Sequence, residues 1–302
     1  MQLEARGKIN WSLDITGLRE DGYHLMDMLM QPVALSDTVT LLPAEELSLS
    51  TGGTPLLRAD ERHLALRAAR LLKEHTGYPA GASITVFKRI PVGAGMGGGS
   101  ADAAAVLFGL NRLWGTGLSP AELEALGLRL GADVPFCLRG GLTRTRGIGE
   151  LMENLPCSRY YSLVLIQPCR GLSTRDVFQA FHASPALQHP DTDLAASALA
   201  SGETALLRKS LGNVLQPVSV AMRPEIGRAL RKLKDCGAEL ALMTGSGSAV
   251  FGVFRTQARA RAAYAALAPL WSSVFLSRTC AESILLSEDA PCADGFSSDR
   301  EG

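Results

Sequence analysis

Ile90-Pro91-Val92-Gly93-Ala94-Gly95-Met96-Gly97-Gly98-Gly99-Ser100-Ala101-Asp102 is the stretch on which the reading of this chain turns. Five of the seven residues from 93 to 99 are glycine, where a simple turn needs one or two. Backbone free of side chains takes positive φ and approaches a ligand closely, so several N–H groups can converge on one anion. After it, Ser100 to Trp114 predicts a helix with Val106, Leu107, Leu110, Leu113 and Trp114 on one apolar stripe. Before it, Ser83 to Ile90 reads as a strand with Ile84, Val86 and Ile90 on one face. Strand, glycine loop and helix N-terminus together make a phosphate site, because orphan amides and helix dipole both favour an anion there.

Two other glycine-loop readings fit less well. Gly93, Gly95 and Gly98 satisfy G-x-G-x-x-G, but a dinucleotide fold wants a strand ending in Asp or Glu about 20 residues further on. That region here is a loop, Trp114-Gly115-Thr116-Gly117-Leu118-Ser119-Pro120. No Gly-Lys-Ser/Thr closes the stretch, which excludes a Walker A loop. A nucleoside triphosphate held by a different glycine loop fits best.

A chain of 302 residues suffices for two domains, each with its own core. It is 46% apolar and 20% charged with zero formal net charge, so no global field attracts nucleic acid or an anionic membrane. Arg67, Arg70 and Lys73 form the most basic helical stretch and read as a solvated face. The six cysteines, Cys137, Cys157, Cys169, Cys236, Cys280 and Cys292, show neither C-x-x-C pairing nor metal-ligand spacing. Free thiols in a reducing cytoplasm are the expectation. Met1 to Lys8 lacks the apolar core of a signal peptide, and no apolar run approaches the length of a membrane span.

The first strand alternates Ile9, Trp11, Leu13 and Ile15 with Lys8, Asn10, Ser12 and Asp14. Period two puts Lys8 and Asn10 on one face, about 7 Å apart, and periodicity alone makes that face a solvated one. Arg19 to Gly22 reads as a turn, after which Tyr23 and His24 open a second strand through Gln31 as half-buried edge residues. Thr38–Leu42 and Leu47–Thr51 read as short strands, and Glu61–His75 as a helix stopped by Gly77 and Pro79. Ser119-Pro120-Ala121-Glu122 is a capping box opening a helix that ends at Gly131. Asp133, in Gly131-Ala132-Asp133-Val134-Pro135-Phe136, is open to two readings, a capping carboxylate or a base aimed at the cleft. Near Ser158 the character shifts. Tyr161–Gln167 is an apolar strand, Ser173 caps a short helix carrying Phe178 and Phe181, and segments 193–211 and 213–235 are helical. Leu240–Met243, a second glycine loop from Thr244 to Ser248, and Val250–Phe254 form a hairpin-like unit. A helix at 258–268 and strands near Val274 and Ser283 complete that half. The Ser-, Asp- and Gly-rich segment 287–302 is expected to be a disordered tail.

Lys8-Ile9-Asn10, the Pro91–Ala101 loop and the second loop at Thr244 together resemble the galactokinase, homoserine kinase, mevalonate kinase and phosphomevalonate kinase superfamily of small-molecule kinases. Asp21-Gly22-Tyr23-His24 beside Gly131-Ala132-Asp133-Val134-Pro135 resembles the branch whose substrate is a cytidine diphosphate-linked methylerythritol. The resemblance runs from the N-terminus to about residue 285 and departs from relatives conservatively at Ala94 and Met96. It implies an α+β fold in both halves: residues 1–155 with a left-handed βαβ element, residues 156–286 ferredoxin-like, and the active site in the cleft between them.

The same resemblance implies transfer of the ATP γ-phosphoryl to a tertiary 2-hydroxyl, with Mg²⁺ as cofactor, by a cytoplasmic monomer or weak homodimer without nucleic-acid or membrane partners. Asp133 and Lys8 match the catalytic pair. Pro91, Val92, Gly93, Ala94, Gly95, Met96, Gly97, Gly98, Gly99, Ser100 and Ala101 match the ATP-phosphate loop, with Ser100 toward the metal. Tyr23, His24 and Phe178 match residues that hold the cytidine ring, Tyr23 and Phe178 by stacking and His24 by hydrogen bonding. Asn10, Lys88, Thr244 and Gly245 complete the substrate side. A homoserine- or mevalonate-type kinase and a non-catalytic nucleotide-binding module are the alternatives. Tyr23-His24 argues against the first, and the presence of both Lys8 and Asp133 against the second.

Overall fold

In the computed structural model, residues 1–54, 59–182 and 189–287 are described, and the expected tail from 288 onward, with Cys292, lies outside them. The chain opens on two long strands, β1 (Gln2–Leu18) and β2 (His24–Ala44), paired antiparallel from Gln2 opposite Thr40 to Leu18 opposite His24. The strands expected at Tyr23–Gln31 and Thr38–Leu42 are therefore two parts of one. A parallel βαβ unit follows, β3 (Ser48–Gly52), α1 (Leu64–Thr76) and β4 (Gly81–Phe87), with Leu49 opposite Ile84. Gly77 ends α1 in the left-handed conformation. Next come α2 (Gly98–Trp114), α3 (Pro120–Leu128) and α4 (Val134–Arg139). At the start of α3 both reciprocal bonds of the capping box between Ser119 and Glu122 are formed.

A hairpin absent from the sequence reading, β5 (Leu142–Gly147) and β6 (Leu151–Leu155), adds to β2 as part of a seven-stranded sheet. Its strands carry three charged residues, Arg144, Arg146 and Glu153, and little apolar alternation, so periodicity gives no signal there.

The second half begins with β7 (Ser162–Ile166) and α5 (Thr174–His182). Four helices replace the two expected: α6 (Thr192–Ser201), α7 (Thr204–Ser210), α8 (Gln216–Met222) and α9 (Pro224–Asp235). The breaks fall at Gly202, at φ 77°, and at Arg223, which precedes a proline. The chain then forms β8 (Leu240–Met243), β9 (Val250–Phe254), α10 (Gln257–Leu267) and β10 (Val274–Arg278). Sheet order β10-β7-β9-β8, all antiparallel, is the ferredoxin-like arrangement. The last strand, β11 (Ile284–Leu286), leaves this half and pairs with β1, Leu3 opposite Leu286. The expectation that it completes the second half is corrected.

Side chains of β7 alternate cleanly between two cores. Val164 and Ile166 pack with Leu233 of α9 and Ala260 of α10, whereas Leu163 and Leu165 pack with Ile9, Trp11 and Leu29 of the first sheet. Trp11 sits at this junction, edge-on to Tyr161 (5.0 Å) and Phe251 (5.6 Å), its indole N–H donating to Gln31 Oε1 at 2.8 Å. β1 is therefore covered on both faces. Register shifts at Arg6/Lys8 and Asn10/Ser12 move Ile9 and Trp11 to the opposite core from Leu3, Ala5, Leu13 and Ile15. Lys8, Asn10, Ser12 and Asp14 are all buried, not solvated as the alternation alone suggested. Among the described residues no helix is long and apolar enough to cross a membrane.

Helix α2 packs directly on the first sheet. A Cβ on Gly109 would overlap Leu41 Cδ1 and stand 2.6 Å from Leu3 Cδ1, both on fully buried leucines. Alanine gains about 1 kcal/mol in helix propensity over glycine, against about 1–3 kcal/mol for overpacking a closed core. Gly109→Ala is expected to lower stability, read as a lower urea midpoint with unchanged slope, and Gly109→Val to lower it further.

Candidate active site

From β4 the chain passes through Lys88–Ile90, loops over Pro91–Met96 and enters α2 with Gly97 at the N-cap position. Carbonyls of this loop turn toward the protein. Those of Val92, Ala94 and Met96 accept from Gln167 Nε2 (3.1 Å), Ala249 N (3.0 Å) and Lys8 N (2.9 Å). Gly98, Gly99 and Ser100 carry the first-turn amides that a helix leaves without partners of its own. Gly95, Gly97 and Ser100 line a cavity of about 640 Å³ between the two halves, a size suited to a small ligand. Of the other expected loop residues, Ala94, Met96 and Ala101 are buried, and Pro91, Val92, Gly93, Gly98 and Gly99 are at least partly exposed but do not line the cavity.

The second glycine loop, between β8 and β9, meets the first backbone to backbone. A Cβ on Gly95 (φ 77°) would overlap the Thr244 carbonyl oxygen, and one on Gly245 (φ 57°) would stand 2.8 Å from Gly95 O. Glycine is required on both sides of the contact.

Asn10 carries Lys8 and this second loop at once. Its Oδ1 accepts from Lys8 Nζ (2.7 Å), Gly245 N (3.0 Å) and Thr244 Oγ1 (3.1 Å). Lys8 Nζ lies 3.6 Å from Asp133 Oδ2. Asp133 occupies the N-cap position of α4, yet its side chain makes no capping bond. Of its two sequence readings, the carboxylate aimed at the cleft is the one the geometry supports. A Cβ on Gly97 would fall 3.6 Å from Asp133 Oδ2 and 3.2 Å from Lys8 Cγ, so the start of α2 abuts the pair directly. One turn beyond Asp133, Cys137 is fully enclosed, and burial followed by the Asp133 charge pushes its thiol well up. It stays protonated.

Across the cavity, the His24 and Phe178 rings lie 4.5 Å apart with a 44° tilt. Tyr23 lines the same wall but stays 61% exposed, with the Arg19 guanidinium 5.7 Å from its ring centre. Phe178 thus packs against His24 itself. Met26, Met28, Ile148 and Leu215 make the apolar wall, and Thr174, Arg175 and Gln179 of α5 the polar one. The sequence reading missed these, because the placement of α5 opposite β2 is purely tertiary.

Three expected substrate-side residues do not line the cavity. Asn10 and Thr244 are fully buried and spend their polar atoms on each other, Lys8 and the loops. Lys88 is also buried, its ammonium bonded to Asp37 Oδ2 and Asp102 Oδ2. Burial alone would lower the Lys88 pKa, and the carboxylates of Asp102 and Asp37 outweigh it and raise it. For Asp102, burial outweighs the pull of Lys88 and pushes the carboxyl up to about 8. Gly245 does reach the cavity wall, as does Ser246 beside it.

With two glycine loops, an ammonium–carboxylate pair and an open helix start around one cleft, the comparisons agree on a class. The family profile described as GHMP kinases N terminal domain matches residues 63–141, and GHMP kinases C terminal matches 195–271. A 4-diphosphocytidyl-2-C-methyl-D-erythritol kinase from Pelotomaculum thermopropionicum is 46% identical over 252 residues, 82% of this chain and 87% of the relative. One from Alkaliphilus metalliredigens is 39% identical over 278 residues, 91% of this chain and 95% of the relative. A crystal structure of 4-(cytidine 5'-diphospho)-2C-methyl-D-erythritol kinase superposes with a TM-score of 0.79 at 34% identity, covering 92% of this chain and 99% of that one. The chain belongs to the GHMP kinase family, a family of phosphotransferases that use ATP. Within that family it groups with the 4-diphosphocytidyl-2-C-methyl-D-erythritol kinases.

Gly95→Ala is expected to force the two loops apart at their contact. The measurable outcome is loss of about 100-fold or more in kcat/KM with far-UV circular dichroism unchanged, since misplacement near 1 Å costs that much.

Proposed function

We propose that this chain transfers the γ-phosphoryl of ATP to the 2-hydroxyl of 4-diphosphocytidyl-2-C-methyl-D-erythritol, a step of the methylerythritol phosphate route to isoprenoid precursors. The observation that carries the chemistry is the Lys8–Asp133 pair, 3.6 Å apart and abutting Gly97, the N-cap of the phosphate loop's helix. Most catalysis in phosphoryl transfer is positioning and charge stabilisation. Amides at Gly98, Gly99 and Ser100 offer donors to the phosphates, and the helix dipole adds to them. The acceptor is a hindered tertiary alcohol that must lose a proton as the new bond forms. Asp133, without a capping duty and open to the cavity, takes that proton. Lys8, held by Asn10, keeps the carboxylate oriented and points its charge toward the transferring group.

Among the described residues no cluster of three or more His, Cys, Asp or Glu could hold a metal by itself. That donor set fits a Mg²⁺ arriving on the phosphates, with Ser100 Oγ and the Asp133 carboxylate on the cavity wall as the protein oxygens within the site. Bound there, the ion would neutralise charge on the β and γ oxygens. His24 and Phe178 would take the cytosine ring, with Tyr23 at the mouth. Residues 1–155 supply the loop and the catalytic pair, and 156–286 supply Phe178 and the second loop. The free thiols among the described residues suit a reducing cytoplasm, where the chain works as a monomer or weak homodimer.

The reading is tested by ADP release with ATP and Mg²⁺ against cytidylyl-methylerythritol, homoserine, mevalonate and galactose. Turnover confined to the first is the expected result, and preference for homoserine or mevalonate would sink it. Asp133→Asn should lower kcat by at least ~100-fold with little change in either KM, and near-normal turnover would remove Asp133 from the role of base. Phe178→Ala should raise KM for the cytidylyl substrate by about 10-fold while KM for ATP holds, as loss of one stacked base contact would.

A further inference from the structure

The Lys88 ion cluster makes no contact with the cavity, so its charges must be explained by what they hold. Asp37, on β2, is fully buried, and its Oδ1 accepts from Arg89 N (2.6 Å) and Ile90 N (2.8 Å), the last residues before the glycine loop. Its Oδ2 takes the Lys88 ammonium, which reaches on to Asp102 Oδ2 in the second turn of α2. A Cβ on Gly98 would stand 3.4 Å from Lys88 Nζ, so the ammonium lies directly beneath the first residue of α2. One cation thus ties together the strand that carries Asp37, the chain as it leaves β4, and the helix that the loop becomes.

We propose that Lys88, Asp37 and Asp102 are positioning residues for the nucleotide, a buried cross-brace that fixes the two ends of the phosphate loop relative to each other. Burying an ion cluster stabilises a fold no better than well-packed apolar side chains would. Asp102 bears this out, since its Oδ1 is buried with no partner among the described residues. What ionic contacts supply and apolar ones do not is direction, and here the direction runs from loop start to loop end. The middle of the loop is already pinned by Lys8 N and Ala249 N. With its ends braced as well, the amide array is set before a nucleotide arrives, and binding has no ordering cost to meet.

The inference rests on the kinase reading, so its test uses nucleotide binding without any acceptor. Full-length wild type, Asp102→Leu and Asp102→Asn are titrated with a non-hydrolysable ATP analogue and Mg²⁺, and KM for the cytidylyl acceptor is measured in parallel. Leucine keeps the volume but removes the acceptor oxygen. Asparagine keeps an oxygen for Lys88. Asp102→Leu should weaken nucleotide binding about tenfold or more while acceptor KM stays within about twofold, and Asp102→Asn should stay within about threefold of wild type. Unchanged nucleotide affinity in Asp102→Leu overturns the proposal, as does an equal loss in both variants or an equal loss for the acceptor. Should Asp102→Leu lack a cooperative thermal transition, the double variant Lys88→Met with Asp102→Asn replaces it under the same criteria. It leaves Asp37 with both its amide donors. Failure of every acceptor to turn over, with the titrations as expected, would sink the activity and leave the brace standing.

Discussion

A single buried amide oxygen governs the centre of this molecule. Asn10 Oδ1 accepts from the Lys8 ammonium, from the Gly245 amide and from the Thr244 hydroxyl, while the Asn10 backbone N–H donates to that same hydroxyl. The Lys8 ammonium and the contact between the two halves are therefore set by one atom. Each donor left unpaired in so enclosed a place would cost about 1–3 kcal/mol. Next along the strand, Trp11 turns to the opposite core and wedges between Tyr161 and Phe251. The cleft keeps its shape because one residue is bonded across it and its neighbour is packed across it.

The protein uses the same pair of residue types twice, for opposite ends. Lys8 and Asp133 meet at the cavity wall, where the carboxylate side chain is 31% exposed and open to a bound molecule. Lys88 and its two carboxylates meet out of reach of solvent, with no ligand able to touch them. Environment separates the roles, as chemistry alone would not. Sequence offers six lysines and several aspartates, and only burial tells the pair on the cavity wall from the cluster enclosed beneath the loop.

How much of this was legible follows from which signals are local. The glycine loop, the capping box at Ser119 and the Gly77 stop are written in adjacent residues, and the folded chain has them where the sequence predicts. Period two assigns Lys8 and Asn10 to a solvated face because it reports alternation and says nothing about what covers each side. β1 has a core on both faces, and bulges carry its residues from one to the other. Asp133 could not be resolved locally, since a capping carboxylate and a catalytic one share the same neighbours. The family resemblance alone puts Lys88 in the cleft. Its partners are 51 and 14 residues away in sequence, and no window contains them.

The return of β11 to the first sheet gives the two ends of the chain a common fate. Until residues 284–286 emerge, the free edge of β1 presents unpaired backbone groups of the kind that recruit stray strands. The pairing joins positions about 280 residues apart, among the slowest kinds of contact for a chain to find. During synthesis the half that holds the phosphate loop is thus the first made and the last sealed. A cell producing this protein in quantity would feel that interval as a demand on its chaperones.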